Sequence, residues 1–117
     1  MGKPHEQLEA WKFAMQLVKA VYQLTAEFPT EERYGLAQQM RRAAVSIPSN
    51  LAEGAGRNGA NEYLHFIGIS RGSLAELETQ MQLAVMLDFT KPDHTAFELA
   101  DRTGKLLTGL HKKWSAQ

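Results

Sequence analysis

Apolar residues recur every three or four positions along almost the whole chain, and this spacing places them on one face of an α-helix. Four segments each carry one such stripe, here called an apolar seam. The seams of the first two segments are Leu8, Trp11, Met15, Val18, Tyr22 and Thr25, and Leu36, Ala37, Met40, Ala44, Ile47 and Leu51. Those of the last two are Tyr63, Ile67, Ser70, Leu74, Leu77, Met81 and Ala84, and Leu99, Thr103, Leu106, Leu110 and Trp114. No strand pattern competes, so the sequence predicts an all-α protein.

Helix breakers separate the four seams. Pro29 should end the first helix near Phe28, because proline disfavours a helical residue before it and lacks an N–H. Thr30 is then expected to cap the second helix, with two glutamates in its first turn. That helix should end at Gly54 or Gly56, because glycine readily adopts the left-handed backbone conformation that caps a helix. The third helix should run from about residue 59 to 87, and a capping threonine, a proline and an acid should open the fourth: Thr90, Pro92 and Asp93.

The predicted fold is an antiparallel up-down-up-down bundle of four helices, each of roughly 20 to 29 residues and joined by short loops. The 117 residues suffice for one domain, and no linker or internal repeat divides residues 1–117. The predicted core includes Trp11, Met15, Leu36, Ile47, Leu51, Ile67, Leu74, Leu77 and Leu106.

Composition narrows the class of protein. The chain has no cysteine, which excludes a disulfide scaffold and a cysteine nucleophile and suits a reducing compartment. It has neither the apolar core of a signal peptide nor a membrane-spanning run, so we expect a cytoplasmic protein without a membrane partner. Thirteen basic residues balance thirteen acidic ones, and the chain as a whole has no strong field to attract nucleic acid.

The charges are nevertheless unevenly distributed. Residues 33–57 hold four arginines and one glutamate, whereas residues 58–89 hold one arginine, three glutamates and an aspartate. The simplest interpretation is that the basic and acidic segments pair with each other. The alternative is that the arginines stay unpaired and contact phosphates of a nucleic acid. The candidate residues are Arg33, Arg41, Arg42 and Arg57.

Pro48 lies in the middle of the second predicted helix. It removes the hydrogen bond to the Ala44 carbonyl, at a cost of about 3 kcal/mol in an ordinary helix interior, and predicts a kink there. Ser46, Ser49 or Asn50 could satisfy the released carbonyl. We favour this structural role for the two serines over a catalytic one, because no base lies near them in the sequence.

The face of this helix opposite its seam is polar. It comprises Arg42, Ser46, Ser49, Asn50, Glu53 and Arg57. A solvated face is the simplest interpretation, with Glu53 and Arg57 as an ordinary pair four residues apart. Serine and asparagine are, however, poor choices for a free helix surface, so these short side chains indicate close contact with another element.

Two stretches carry a family resemblance: ERYGLAQQMRRAAVSIPSNLAEGAGR at 32–57 and ISRGSLAELETQ at 69–80. They resemble the four-helix-bundle proteins named after the 23S rRNA intervening sequences that encode some members, and the likeness runs from LEAWKFAMQLV to LHKKW. The resemblance implies a small bacterial cytosolic protein, assembly into a ring of five and no established enzymatic activity. The family name records gene location, not ribosome binding. The structurally similar accessory protein of diversity-generating retroelements is also pentameric and works with nucleic acid through a strongly basic surface, whereas this chain has no net charge.

Catalysis has little support in the sequence. Di-iron bundles use two Glu-x-x-His motifs, and this chain has one, Glu62 with His65. There is no Gly-x-Ser-x-Gly elbow and no phosphate-binding glycine loop. We therefore expect a non-enzymatic protein with no metal, no cofactor and no catalytic residue. Two functions remain open: a scaffold associated with RNA or another nucleic acid, and an adaptor ring that binds another protein only.

The third helix predicts self-assembly. The apolar side chains of YLHFIGI, residues 63–69, spread over roughly 220° of the helical wheel, whereas one core needs little more than 100°. A second subunit could cover the remainder, unless the bundle covers it internally. Candidate structural or subunit contacts are Ser46, Pro48, Ser49, Asn50, Glu53, Ile69 and Arg71.

Overall fold

The computed structural model describes residues 2–116, and every long element in this range is helical. The four α-helices are α1 (Glu9–Ala26), α2 (Leu36–Ala55), α3 (Ala60–Met86) and α4 (Thr95–Ser115). Two short 3₁₀ helices, Pro4–Gln7 and Thr30–Glu32, precede α1 and α2. The described residues contain no strand, so the all-α prediction is confirmed.

The helices form an elongated bundle of 45 × 24 × 21 Å. Each one packs against two neighbours in the cyclic order α1, α2, α3, α4, and neither diagonal pair makes a close approach within residues 2–116. Contacts between α2 and α3 run in opposite directions along the two helices: Ser46 meets Ser73, whereas Gly54 lies against Phe66. The antiparallel four-helix bundle is therefore confirmed. No helix in the described range is long and apolar enough to cross a membrane.

The core follows the third seam closely and the first seam poorly. All seven seam positions of α3 are buried, as are Ile47 and Leu51 of α2. Trp11, Leu36 and Leu106 are half-buried against the core. Met15 is 47% exposed, so its predicted core position is wrong.

In α1 the buried face lies one residue, or about 100° of helix rotation, from the predicted seam. The buried positions are Ala10, Ala14, Leu17, Ala20, Val21, Leu24 and Thr25. Three of the seven are alanines, whereas the larger Met15 and Tyr22 are 47% and 43% exposed. In α4 the fully buried positions are Ala96, Ala100, Thr103 and Leu107, and the remaining seam residues are half-buried.

The helix boundaries differ from three local predictions. Thr30 begins a 3₁₀ turn and does not cap α2, where the Leu36 N–H instead donates to the Glu32 carboxylate at 3.1 Å. The N-cap of α4 is His94, not Thr90, because the His94 Nδ1 accepts from the Ala96 N–H at 3.0 Å. Gly56 follows α2 with a right-handed φ of −88°, so the expected left-handed cap is wrong. A glycine with positive φ does precede α3, at Gly59.

Candidate nucleic-acid interface

Three of the four candidate arginines line one open groove on the outer surface of α1 and α2. The groove encloses about 790 Å³. Its lining residues are Tyr22, Arg33, Tyr34, Gln38, Arg41, Arg42, Val45 and Ser46. None of them is acidic, so the groove is a locally basic surface on a chain without net charge.

Arg41 is held in place by α1. Its Nε donates to the Thr25 hydroxyl at 2.8 Å, and its Nη2 donates to the Tyr22 carbonyl at 3.4 Å. The guanidinium also lies over the Tyr22 ring, 4.5 Å from its centroid. The Thr25 hydroxyl in turn donates to the Val21 carbonyl at 2.7 Å. Arg41 therefore joins the two helices and presents a fixed positive plane in the groove.

Arg33 and Arg42 are exposed, and their side chains make no ion pair or hydrogen bond with any residue that the structure describes. Arg57 differs: it pairs with Glu53 at 2.8 Å and lies over the Phe66 ring. It is also 15 residues, or about 22 Å of helix, from Arg42. The groove thus gathers three of the candidates and leaves Arg57 outside.

The basic and acidic segments do not pair. Three ion pairs occur in the described part of the chain, and each joins residues three or four apart on one helix: Lys12 with Glu9, Arg57 with Glu53, and Lys105 with Asp101. The expectation that segment 33–57 neutralises segment 58–89 is therefore wrong.

One short polar side chain of α2, Ser46, contacts α3 directly, and Asn50 bonds to Ser46 within α2. The Ser46 and Ser73 hydroxyls are 2.8 Å apart, and the Ser70 hydroxyl donates to the Ile47 carbonyl at 2.9 Å. The Asn50 amide donates to both the carbonyl and the hydroxyl of Ser46. This polar cluster packs the two helices together within one subunit.

The same contacts correct the expectation for the proline. In the described chain no side chain of Ser46, Ser49 or Asn50 donates to the Ala44 carbonyl that Pro48 releases. The carbonyls that receive side-chain donors are those of Ser46 and Ile47. The helix continues through the buried Pro48, and the kink stays a prediction.

With this geometry described, comparison with known proteins gives a family. The family described as 23S rRNA-intervening sequence protein matches residues 6–109. The chain belongs to this family. The match contains both stretches that carried the resemblance and stops before LHKKW. A search of the curated proteins found no match.

The other candidate contacts of this family member are scattered. Ser49 and Glu53 are exposed on α2, and Ile69 on α3 is 37% exposed. Arg71 lines a separate depression between α3 and α4, together with Glu78, Asp101 and Lys105. Burial, and secondarily the nearby Asp101, raises the pKa of the Glu78 carboxyl.

Glu62 and His65 both lie exposed on α3. No group of three or more histidine and acidic side chains within residues 2–116 is placed to hold a metal ion.

The sequence did not indicate the aromatic part of the groove. The periodic pattern places Tyr22 in the core seam, but the side chain is 43% exposed beside Arg41. Tyr34 belongs to no seam, and it is 81% exposed. Its position next to Arg33, in a loop and outside the periodic pattern, was the available signal.

Proposed function

We propose that this member of the 23S rRNA-intervening sequence family is a non-enzymatic, cytoplasmic homo-oligomer, with five copies favoured, whose α1/α2 groove binds nucleic acid. The observation that carries the proposal is the pair of exposed, unpaired arginines, Arg33 and Arg42, beside the fixed guanidinium of Arg41 in a groove without acidic residues. Arginine recognises phosphate with several donors of fixed geometry, and contacts to phosphate release counterions and so favour binding. A ring would place several such grooves on one particle and add avidity.

Replacing Arg33 and Arg42 together by glutamine should weaken RNA binding and reduce its salt dependence. Loss of two phosphate contacts should make the slope of log affinity against log salt shallower by about 1.4 for a single strand. Fluorescence anisotropy at several salt concentrations measures both quantities. The matched control, Arg102→Gln with Lys112→Gln, removes two exposed charges from α4, which makes no close approach to α2 in the described chain. Equal behaviour of the two variants would contradict the assignment of the groove.

A protein-only adaptor is the second candidate, and exposed apolar residues at one end of the bundle favour it. Tyr34 precedes α2, and Met86 and Leu87 end α3 at the same end, with exposed fractions of 81%, 77% and 55%. Protein interfaces commonly use such aromatic and methionine side chains. Purified protein without co-purified RNA, and without measurable RNA affinity at low salt, would favour the adaptor over the nucleic-acid scaffold.

The subunit contact is proposed at the outward face of α3. The bundle itself covers much of the wide apolar surface: Tyr63 packs edge-on against Trp114 at 4.8 Å, and Phe66 lies against Gly54. Ile69 keeps 37% exposure, and methyl groups added at Gly68 or Gly72 would meet no atom within 4 Å. Packing within the bundle therefore covers part of the wide apolar surface of α3. Ile69 is the part that we propose a second subunit covers.

Light scattering should give a mass of about five times the 13.1 kDa subunit. Ile69→Glu should dissociate the assembly and leave its helical circular dichroism intact, because it buries a charge between subunits. Thr79→Glu adds the same charge at an exposed position on α3 and serves as the control. A monomeric wild-type mass would contradict the assembly. Loss of helicity in Ile69→Glu would place Ile69 in the subunit core.

A further inference from the structure

The basic groove also presents aromatic rings. Tyr34 and Tyr22 both line it, and their exposed fractions are 81% and 43%. A duplex-binding surface needs positive charge to contact phosphates. An exposed aromatic ring cannot stack on a base of the duplex, because the faces of paired bases are stacked on one another. Surfaces that bind single strands combine a positive groove with aromatic side chains on which unpaired bases stack.

Tyr22 and Arg41 form a rigid platform in this groove. The guanidinium lies 4.5 Å from the ring centroid, and two hydrogen bonds, to the Thr25 hydroxyl and the Tyr22 carbonyl, fix its orientation. Aromatic rings and guanidinium planes are both surfaces on which splayed bases stack. Because α1 already orders the Arg41 side chain, a ligand does not have to immobilise it.

Tyr34 complements this platform. It directly follows Arg33 in the chain and lies outside every helix, so its ring and the neighbouring guanidinium can contact adjacent parts of one nucleotide chain. Arg42 supplies a second unpaired charge in the same groove. The groove thus offers two unpaired cations for phosphates and one projecting ring for a base.

We infer that the groove binds single-stranded nucleic acid, with an unpaired base stacked on Tyr34 and phosphates on Arg33 and Arg42. The inference rests on the proposed function and narrows it from nucleic acid in general to single strands. It also separates the roles of the side chains: the arginines provide affinity for any polyphosphate, whereas Tyr34 recognises only a ligand whose bases are free.

The test compares Tyr34→Ala with Tyr34→Phe, which keeps the ring. The ligands are an RNA strand of about 12 nucleotides, within the usual site size of a small single-strand-binding domain, the DNA strand of the same sequence, and the RNA duplex. The wild type should bind one or both single strands more tightly than the duplex. Tyr34→Ala should weaken single-strand binding about 5- to 150-fold and leave duplex binding unchanged, whereas Tyr34→Phe should keep wild-type affinity. The RNA and DNA arms identify which strand is the ligand.

Inorganic polyphosphate serves as a polyanion without bases, and Tyr34→Ala should bind it as the wild type does. RNA that carries 5-iodouridine should crosslink to Tyr34 under long-wavelength ultraviolet light, since the photoreaction joins the base to a side chain in contact with it and aromatic rings react readily. Equal loss of polyphosphate and RNA affinity in Tyr34→Ala would overturn the stacking role. Equal wild-type affinity for duplex and single strand, with no effect of Tyr34→Ala, would overturn the inference. The proposed function, nucleic-acid binding by the groove, would then be tested by the Arg33→Gln/Arg42→Gln variant alone. Absence of binding to every nucleic acid would overturn both.

Discussion

Replacing Leu74 by alanine should destabilise the subunit by about 2 to 5 kcal/mol, the largest loss expected from any single change considered for this bundle. Leu74 is 4% exposed, and it belongs to the core seam of α3. The loss combines the burial free energy that the removed side-chain carbons no longer contribute with the cost of the cavity that they leave. Urea denaturation followed by circular dichroism measures it, at one fixed protein concentration because assembly would make stability concentration-dependent.

A second substitution tests whether the loss arises at the predicted place. A β-carbon added at Gly104 of α4 would lie 3.3 Å from the Leu74 Cδ2, a tight contact in the wild type. In the Leu74→Ala background that methyl group is gone, so Gly104→Ala should partly fill the cavity. The double variant should therefore be more stable than additivity predicts, by about 0.5 to 3 kcal/mol.

Gly109→Ala is the matched control for this cycle. It lies on the same helix, and an added β-carbon there meets no atom within 4 Å. Its effect should be the same in both backgrounds. Additive effects at Gly104 as well would show that α3 and α4 do not meet at Leu74.

Periodicity was sufficient to predict four helices, but it did not give the rotation of every helix. The seam of α3 is fully buried because its large apolar side chains themselves fill the core. In α1 the large side chains of Met15 and Tyr22 define the visible pattern, whereas Ala10 and Ala14 occupy the buried face. The distance between packed helices depends on the side chains at their contact. An alanine can therefore occupy a buried position where two helices lie close together, just as a leucine can where they lie further apart. Leu17, Val21 and Leu24 also recur at helical spacing on the buried face, so spacing alone could not distinguish that face from the predicted seam one position away.

The loops show a related limit. Thr30 and Thr90 are both good local start signals, yet neither caps a long helix. The loops that contain them are joined by a contact between the Phe28 and Phe89 rings, 5.3 Å apart. A pairing between residues about 60 positions apart belongs to the tertiary fold and cannot be inferred from capping preferences, which describe only the nearest turn.

The sequence predicted the arginines of the candidate groove, but it did not predict which of them lie together or which neighbours they contact. Arg41 and Arg42 are adjacent in sequence, but helix rotation gives them different environments: Arg41 bonds to Thr25 of α1, whereas Arg42 stays exposed. Counting charges over whole segments does not distinguish the sides of α2, and it predicted a pairing with the acidic segment that is absent from the described chain. The relevant quantity is the face of the helix on which each charge lies.

Gly54→Ala should destabilise the subunit by about 1 to 3 kcal/mol, although the same change normally stabilises a helix by about 0.5 to 1 kcal/mol. An added β-carbon would lie 2.7 Å from the Phe66 Cβ and 3.1 Å from the Tyr63 ring. The Cβ of Phe66 is fixed by its backbone, so no change of rotamer relieves the clash. Either α2 and α3 move apart or the strain persists. Thermal and urea denaturation should both show the loss.

The separation of the two helices should also have a local signature along their contact. The Ser70 hydroxyl donates to the Ile47 carbonyl at 2.9 Å, seven residues before Gly54 on α2. A shift of about 1 Å between the helices would break that bond, since hydrogen bonds weaken beyond about 3.2 Å. Hydrogen exchange in Gly54→Ala should therefore accelerate along α2 and α3 more than along α1 and α4. Gly109→Ala, whose added methyl group enters open space, should show the opposite sign in stability and no such pattern. If both glycine substitutions stabilise the protein alike, the close approach of α2 to α3 at Gly54 does not exist in solution.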